Sequence, residues 1–286
     1  MASVMAATER SIAVQLVSAR TAADFLAVWL RHRLLSEASQ RYLDAYYANF
    51  RRLESPRMRH WYNQQLAEGD AIVRSQSGLR VLEVGVGTGS ECLWWGMLGA
   101  DVTGIDAFQH CVDVAAERRE VLRRLLGRNL KCLLRTVQIT GFEDDSGFDM
   151  IWMEQAFHHL EPRAEALKRI AKLLRPGGYV VVSEANALNP LLQLQLLRAR
   201  GWKEFVTVET AQGTLVYGNE RVLTRGSLRR LLCDVGIEQV SSRYFRIFPA
   251  QPAFEPLFAL ERRVSSPWLA PLFTHYNLVG RKVRCT

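Results

Sequence analysis

A glycine-rich turn follows an apolar run in the segment Val81-Leu82-Glu83-Val84-Gly85-Val86-Gly87-Thr88-Gly89. The apolar run predicts a buried β-strand over residues 79–84, and the apolar residues after the turn predict a helix over 91–98. Glycine lets a ligand approach the backbone at positions where any Cβ atom would clash. The segment therefore predicts a strand, a ligand-binding turn and a helix, in that order.

Two ligand classes compete for such a turn. Dinucleotide sites use the spacing G-x-G-x-x-G and set a pyrophosphate on the amino terminus of the helix. Here the spacing is G-x-G-x-G, and Ser90 stands where the third dinucleotide glycine would be. Glu83 also places a carboxylate beside the turn, which would repel a pyrophosphate but attract an ammonium and a sulfonium. Charge complementarity therefore favours S-adenosylmethionine over NAD.

A second carboxylate ends the next predicted strand, residues 101–106, in the sequence Gly104-Ile105-Asp106. A carboxylate at that place can accept hydrogen bonds from both ribose hydroxyls, as it does in dinucleotide sites. Asp106 therefore indicates a ribose without identifying the cofactor. The alternative is that Asp106 caps the helix predicted over residues 111–126.

Predicted strands and helices alternate from residue 79 onward. After the first unit, the predicted strands are 101–106, 131–137, 148–153 and 179–183, and a further helix is predicted over 163–174. The last of these strands is almost wholly apolar, as expected of a strand buried on both faces of a parallel sheet. The alternation predicts β-α-β units and an α/β, doubly wound sheet.

With these segments the sequence resembles the class I S-adenosylmethionine-dependent methyltransferases, in the branch that includes ubiquinone and menaquinone biosynthesis methyltransferases. The resemblance covers about residues 80–185. Besides the glycine turn and Asp106, its motifs are Phe148-Asp149-Met150-Ile151, His158-His159-Leu160 and Leu173-Leu174-Arg175-Pro176-Gly177-Gly178. The resemblance implies a seven-stranded, Rossmann-like sheet whose last strand is antiparallel, with residues 240–248 and 277–283 as strands six and seven.

The resemblance also implies S-adenosylmethionine as the cofactor and assigns its contacts. The three turn glycines would pack against the methionine moiety, with Glu83 ordering the turn, and Asp106 would bind the ribose. The family often has an acidic residue after strand three that contacts adenine, but residues 135–140 carry none, so Gln138 or Thr136 is the expected substitute. The predicted cofactor-binding residues are Glu83, Gly85, Val86, Gly87, Thr88, Gly89, Asp106, Ala107, Gln138, Met153 and Glu154.

Three residues after the fourth strand are candidates for catalysis. Displacement at a sulfonium depends mainly on alignment and on exclusion of water, and it needs a base only if the acceptor must lose a proton. His158 and His159 are the candidate bases because histidine titrates near neutral pH. The resemblance gives an alternative for His159, a structural role at the start of the next helix. Glu154 either meets the substrate or the methionine ammonium, or faces solvent.

The flanking segments are predicted to cover the site. Residues 1–77 predict a helical cap or lid, with apolar residues at helical spacing over 22–35 and 42–53, and residues 78–286 predict the methyltransferase domain. Tyr46, Tyr47 and Trp61 are the candidate substrate or lid residues, with plain helix packing as the alternative. An apolar insert, residues 249–273, would wall an acceptor pocket, rest on a membrane surface beside Arg262 and Arg263, or form a dimer contact.

Charge and composition limit the classes of partner that the chain is expected to bind. The net charge is +8, but the arginines are spread along the chain, which favours a solvated basic surface over a nucleic-acid site. An Asn/Asp-Pro-Pro-Tyr/Phe segment would be expected after strand four of a base-amine methyltransferase, and Glu154-Gln155-Ala156-Phe157 stand there instead. No run approaches the roughly 18–20 apolar residues of a membrane span. The amino terminus shows no secretory signal pattern.

The cysteines predict reduced thiols in a cytoplasmic protein and no metal site, because none forms a C-x-x-C pair. They are Cys92, Cys111, Cys132, Cys233 and Cys285. Together, these features predict transfer of a methyl group to a small, apolar acceptor of lipid, quinone or natural-product type, at oxygen, nitrogen or carbon. A nucleic-acid methyltransferase and a non-catalytic scaffold that retains the cofactor fold are the alternatives.

Overall fold

A seven-stranded sheet organises the computed structural model, which describes residues 2–50, 55–210, 213–264 and 267–283. The strands are β1 (Arg80–Val84), β2 (Asp101–Asp106), β3 (Cys132–Thr136), β4 (Phe148–Glu154), β5 (Leu174–Ala185), β6 (Phe205–Thr210), β7 (Gly213–Gly218), β8 (Ile237–Phe245) and β9 (His275–Lys282). The helices are α1 (Ala2–Ser18), α2 (Ala22–Arg31), α3 (Glu37–Tyr46), α4 (Pro56–Ser75), α5 (Ser90–Met97), α6 (Gln109–Leu126), α7 (Arg163–Leu173), α8 (Pro190–Arg200), α9 (Arg225–Cys233) and α10 (Phe258–Glu261). Short 3-10 turns cover Ala48–Phe50, Ile139–Gly141, Phe157–His159, Pro252–Leu257 and Pro267–Leu272.

The strand order in the main sheet is β3-β2-β1-β4-β5-β9-β8. Strands β1 to β5 pair in parallel, whereas β9 is antiparallel to both β5 and β8. The predicted doubly wound sheet and the antiparallel last strand are therefore confirmed. The order reverses direction at β1 and β4, and open α/β sheets bind ligands beyond the carboxyl ends of the strands at such a switch point.

Apolar side chains on both faces of the sheet form two cores. Val81 and Trp152 point to the face covered by α2, α4 and α5, where Trp29 and Leu66 pack against them. The alternate residues of the same strands point to the opposite core, which is shared with α7 and α9. Burial on both faces explains why these strands read as continuous apolar runs.

The amino-terminal helices pack on one side of the sheet, as the apolar periodicity predicts. Their bounds differ from the prediction: α2 ends at Arg31, and α3 runs over Glu37–Tyr46 instead of beginning at residue 42. The chain leaves helical geometry at Tyr47, whose ring is buried and whose hydroxyl donates to Ser90 Oγ at 2.7 Å. Residues 51–53 of the predicted helix lie outside the described residues.

A β-hairpin formed by β6 and β7 was not predicted. Among the described residues, its strands pair with each other and with no strand of the main sheet. Strand β6 alternates exposed and half-buried residues, so the segment lacks the apolar run that marks a core strand. Within residues 249–264 and 267–273, the insert forms 3-10 turns and the short α10. No helix of the described residues is long and apolar enough to cross a membrane.

Candidate functional site

A cavity of about 400 Å³ opens beyond the carboxyl ends of β1, β2 and β4, a size typical of small-molecule sites. It lies between the sheet edge, helix α3 and the β6–β7 hairpin. Several residues predicted from the sequence line it together: Gly85, Gly87, Asp106, Ala107, Gln138, Glu154, His159 and Tyr46. Thr136, the alternative to Gln138, ends β3 outside this lining.

The glycine turn requires glycine at its cavity side. Gly85 has φ 79° and Gly87 has φ 50°, both in the left-handed region. A Cβ atom on Gly85 would lie 2.6 Å from Ala156 Cβ, and one on Gly87 would overlap the Tyr46 hydroxyl. The turn is therefore shaped so that backbone, not side chain, faces the cavity. The other predicted turn residues, Val86, Thr88 and Gly89, are buried behind it.

Asp106 joins the turn to the end of β2. Its carboxylate accepts hydrogen bonds from the backbone N–H groups of Gly87 at 2.9 Å and Phe108 at 3.0 Å. Burial raises the pKa of Asp106 above its usual value, and the two N–H donors oppose that rise. Because Phe108 is the residue before α6, Asp106 satisfies a donor at the start of that helix while also lining the cavity.

Glu83 lies behind the glycine turn rather than in the cavity wall. Its side chain is buried and accepts a hydrogen bond from the Cys92 backbone N–H. Burial, together with the carboxyl groups of Glu91 and Glu154, raises the pKa of Glu83 well above its usual value. Its Oε2 atom has no hydrogen-bond partner among the described residues. This environment favours a neutral carboxyl group, whereas the sequence predicted that a charged Glu83 would attract the ammonium and the sulfonium.

Glu154 and Met153 end β4 with opposite orientations. Glu154 lines the cavity and accepts a hydrogen bond from Gln65 Nε2 on α4, and burial with the nearby Glu91 raises its pKa well above the usual value. The solvent-facing alternative for Glu154 is therefore wrong. Met153 is fully buried in the core on the α7 side of the sheet. Its predicted place beside the cofactor is also wrong, since neighbouring strand residues point to opposite faces.

His159 faces the cavity as a neutral imidazole. Its Nδ1–H donates to the Gly218 carbonyl oxygen at 2.7 Å, because a carbonyl can only accept. Burial and the adjacent His158 lower the pKa of His159 to about 4. Tyr217 of β7 stacks on its ring with 4.1 Å between centroids. Nε2 therefore carries an acceptor lone pair at neutral pH.

His158 is buried away from the cavity lining. Its Nδ1 lies 2.6 Å from Glu184 Oε2. Burial opposes a charge on this imidazole, but the Glu184 carboxylate outweighs burial and raises the pKa of His158. His158 is therefore not placed to contact an acceptor in the cavity, whereas His159 is.

The three lid candidates occupy different places in the structure. Tyr46 lines the cavity over Gly87. Tyr47 is buried behind the turn, where its hydroxyl accepts a hydrogen bond from Thr88 Oγ1 at 3.3 Å. Trp61 is buried on α4, with the Arg57 guanidinium 4.1 Å from its ring centroid. Tyr47 and Trp61 are thus packing residues, and of the three candidates Tyr46 lines the cavity.

Several residues of the site and its support were missed from the sequence, and Arg118 and Tyr217 are the two that matter most for its shape. Arg118 on α6 is fully buried and donates from Nη1 to the Thr88 carbonyl and to Ser90 Oγ, each at 2.8 Å, which holds the turn from below. An arginine on the apolar face of a predicted helix is the signal that could have identified it. Tyr217 closes the cavity from the hairpin, and no local pattern places that hairpin near the sheet.

Comparison with known proteins agrees with this geometry. Residues 82–182 match the family model described as a methyltransferase domain. A ubiquinone biosynthesis O-methyltransferase of Bradyrhizobium diazoefficiens is 30% identical over 128 residues, 45% of this chain and 43% of that protein. The methyltransferase GfsG of Streptomyces halstedii is 28% identical over 137 residues, 48% of this chain and 47% of that protein. The chain spans about half the length of these curated relatives.

Solved structures share the fold at low identity. A SAM-dependent methyltransferase from Methanosarcina mazei has a TM-score of 0.51 at 17% identity, covering 73% of this chain and 95% of that one. The [4+2]-cyclase SpnF has a TM-score of 0.53 at 20% identity, covering 78% and 84%. Because one of these neighbours is a cyclase by name, the shared fold does not by itself identify the reaction.

Proposed function

We propose that this chain, which carries a class I S-adenosylmethionine-dependent methyltransferase domain, transfers the cofactor's methyl group to a hydroxyl oxygen of a small, largely apolar acceptor. The observation that carries the proposal is that His159 lines the same cavity as the glycine turn and Asp106, with its Nδ1 held by the Gly218 carbonyl so that Nε2 faces an acceptor. O-methyltransferases among the curated relatives support the choice of oxygen.

The residues around the turn fit S-adenosylmethionine. The backbone cradle at Gly87 would be filled by a Cβ atom, and the buried Glu83, whose Oε2 atom has no partner among the described residues, lies directly behind the turn. We assign Gly85 and Gly87 to the methionine moiety and Asp106 with Ala107 to the ribose. Gln138 is assigned to the adenine. When bound, S-adenosylmethionine supplies a methyl group on a sulfonium that a nucleophile can displace.

Glu154 is assigned to the methionine ammonium. Its carboxyl group ends β4 beside the turn and is oriented by Gln65. Without a cation nearby, burial favours its neutral form. An ammonium group at hydrogen-bond distance would favour the carboxylate and lower its pKa.

His159 is assigned as the acceptor of the proton from the hydroxyl. Its Nδ1–H is fixed by Gly218, so Nε2 is the atom that can accept a proton. Tyr217 holds the ring by stacking, and Ile139 and Leu215 give the cavity apolar walls. A phenolic acceptor would therefore bind with its ring among apolar side chains and its hydroxyl toward Nε2, with water excluded.

Residues 1–77 are proposed to act as a cap over this site, with Tyr46 as the side chain that closes on the turn. The exposed apolar patch formed by Leu191, Trp268 and Leu272 is proposed to contact a lipid surface. Asn189 Nδ2 donates to the Leu272 carbonyl at 3.1 Å, which joins α8 to the insert, and Trp268 is 92% exposed. Exposed Arg262 and Arg263 on the same insert would favour anionic lipid.

Labelled methyl transfer tests the proposal. The chain would be incubated with methyl-labelled S-adenosylmethionine and with alkyl-substituted phenols and the matching arylamines. We expect labelled product from the phenols and a loss of about 10²-fold in kcat for His159→Gln, which retains a side-chain donor for Gly218. If the arylamines became labelled and the phenols did not, the result would contradict an oxygen acceptor. An unchanged kcat in His159→Gln would contradict the role of His159.

A further inference from the structure

Three metal-ligating side chains converge beside the cavity, and one of them, His159, lines it. His158 and His159 lie on one 3-10 turn, and Glu220 follows the β6–β7 hairpin. Glu220 Oε2 lies 3.5 Å from His158 Nε2, and Glu220 Oε1 lies 4.0 Å from His159 Nε2. One ligand atom from each residue lies within 4.8 Å of the other two. A small inward movement would bring the three atoms to the spacing that one ion requires.

Both imidazoles are oriented through their other ring nitrogen. His158 Nδ1 is 2.6 Å from the Glu184 carboxylate, and His159 Nδ1 donates to the Gly218 carbonyl. Metal-binding histidines characteristically make this contact to a carboxylate or a backbone carbonyl, which fixes the tautomer and leaves Nε2 free to bind. The arrangement therefore directs both Nε2 atoms toward the Glu220 carboxylate, and a metal ion would replace the proton of His158 Nε2 between them.

The hairpin is built to approach the histidine turn closely. A Cβ atom at Gly218 would overlap the His158 carbonyl oxygen, so glycine permits the contact. Glu220, two residues later, has φ 53°, a left-handed conformation that is uncommon for a residue other than glycine. Such strain concentrates at functional sites. Within the described ranges, no lysine or arginine forms an ion pair with the Glu220 carboxylate.

We propose that His158, His159 and Glu220 bind a divalent transition-metal ion of the zinc class. Two imidazoles and one carboxylate suit zinc, whereas calcium and magnesium prefer oxygen ligands alone. Three protein ligands leave a fourth position open, as in non-structural zinc sites. Because His159 also lines the cavity, the ion would lie beside the acceptor end. A metal ion on His159 Nε2 would occupy the atom that is assigned as the proton acceptor, so the two roles of His159 exclude each other at any moment. Metal binding is therefore measured without an acceptor, and its failure leaves the proposed methyl transfer untouched.

Direct metal binding tests this proposal. The full chain would be treated with a chelator, dialysed and titrated with Zn²⁺ by calorimetry, and Co²⁺ absorption would report the coordination geometry. We expect one equivalent bound at a site that is weakened at least about tenfold in His159→Ala and Glu220→Gln. His32→Ala removes a histidine that follows α2 and lies outside the cavity lining, and it serves as the matched control, with unchanged binding expected.

Circular dichroism and S-adenosylmethionine binding would be measured on the same variants. Glu220 is 40% exposed, so Glu220→Gln is expected to fold and to retain cofactor affinity. Absence of a one-equivalent Zn²⁺ site in the wild-type chain would overturn the proposal. So would wild-type Zn²⁺ affinity in both folded site variants, because the cluster would then be an ion-pair network only.

Discussion

The backbone N–H of Gly87 donates to the Asp106 carboxylate at 2.9 Å, which ties the glycine turn after β1 to the end of β2. A second donor, Phe108 N–H, holds the other carboxylate oxygen at 3.0 Å. Two fixed donors orient the carboxylate before any ligand arrives, so ordering it costs little on binding. The turn and Asp106 therefore act as one preorganised unit at the switch point of the sheet.

Gly87→Ala is expected to weaken S-adenosylmethionine binding by about tenfold or more, because the new methyl group overlaps Tyr46 and crowds a tightly packed turn. Calorimetric titration measures the change. The double variant Gly87→Ala with Tyr46→Phe removes the overlapping hydroxyl and should recover part of the affinity. Wild-type affinity in Gly87→Ala alone would show that the cofactor does not approach this backbone.

Arg118→Met is expected to destabilise the fold by about 1–3 kcal/mol, because it leaves the buried Thr88 carbonyl without its arginine donor. Urea denaturation gives the free energy of unfolding. Arg123→Met, on the exposed part of the same helix, is the control and should change that free energy by less than about 0.5 kcal/mol. Equal stability of the two variants would contradict the supporting role of Arg118.

The stability contributed by His159 should depend on pH between about 4 and the usual histidine value of 6.5. In this window the unfolded chain binds the proton more readily than the folded chain, because the folded pKa is lowered. The free energy of unfolding therefore rises with pH across the window, and it falls as the solution is acidified.

The difference in unfolding free energy between wild type and His159→Gln cancels the contribution of titrating groups far from His159. The adjacent His158 is coupled to His159 and does not cancel. We expect that difference to grow from pH 4 to pH 6.5 and then to level off. Parallel curves for the two proteins would contradict the neutral, buried state assigned to His159.

Trp268→Ala is expected to reduce co-sedimentation with vesicles that contain anionic lipid, since this side chain is almost fully solvent-exposed on the insert. Neutral phosphatidylcholine vesicles are the control, and they test the charge dependence directly. Trp29→Phe is not a suitable control because Trp29 is buried in the core. Equal binding of wild type and Trp268→Ala to anionic vesicles would contradict the proposed contact between the insert and lipid.

The sequence predicted the local parts of the site well. The fold class is confirmed and residues 82–182 match a methyltransferase domain, because a glycine turn and a carboxylate at a strand end are set by neighbouring residues in the chain. Tyr47 and Trp61 were misassigned because helical spacing does not tell which side of a helix meets a cavity. Met153 was misassigned because strand alternation decides its face.

Long-range features could not be predicted in the same way. The hairpin that brings Tyr217 and Glu220 to the histidine turn depends on packing between distant segments. Four cysteines, Cys92, Cys111, Cys132 and Cys233, carry free thiols, as the absence of a C-x-x-C pair suggested, and Cys285 lies outside the described residues. The burial that makes Glu83 favour a neutral carboxyl group likewise arises only in the folded chain.

Calorimetric titration with S-adenosylmethionine and S-adenosylhomocysteine is the most direct measurement of cofactor recognition by the turn and Asp106. The wild-type chain should bind both ligands, and Asp106→Asn should bind them at least about tenfold more weakly, because a charged acceptor for the ribose is lost. Asp113→Asn, on the exposed face of α6, should bind as wild type does. Failure of the wild type to bind either ligand, or equal affinity in Asp106→Asn, would contradict the account.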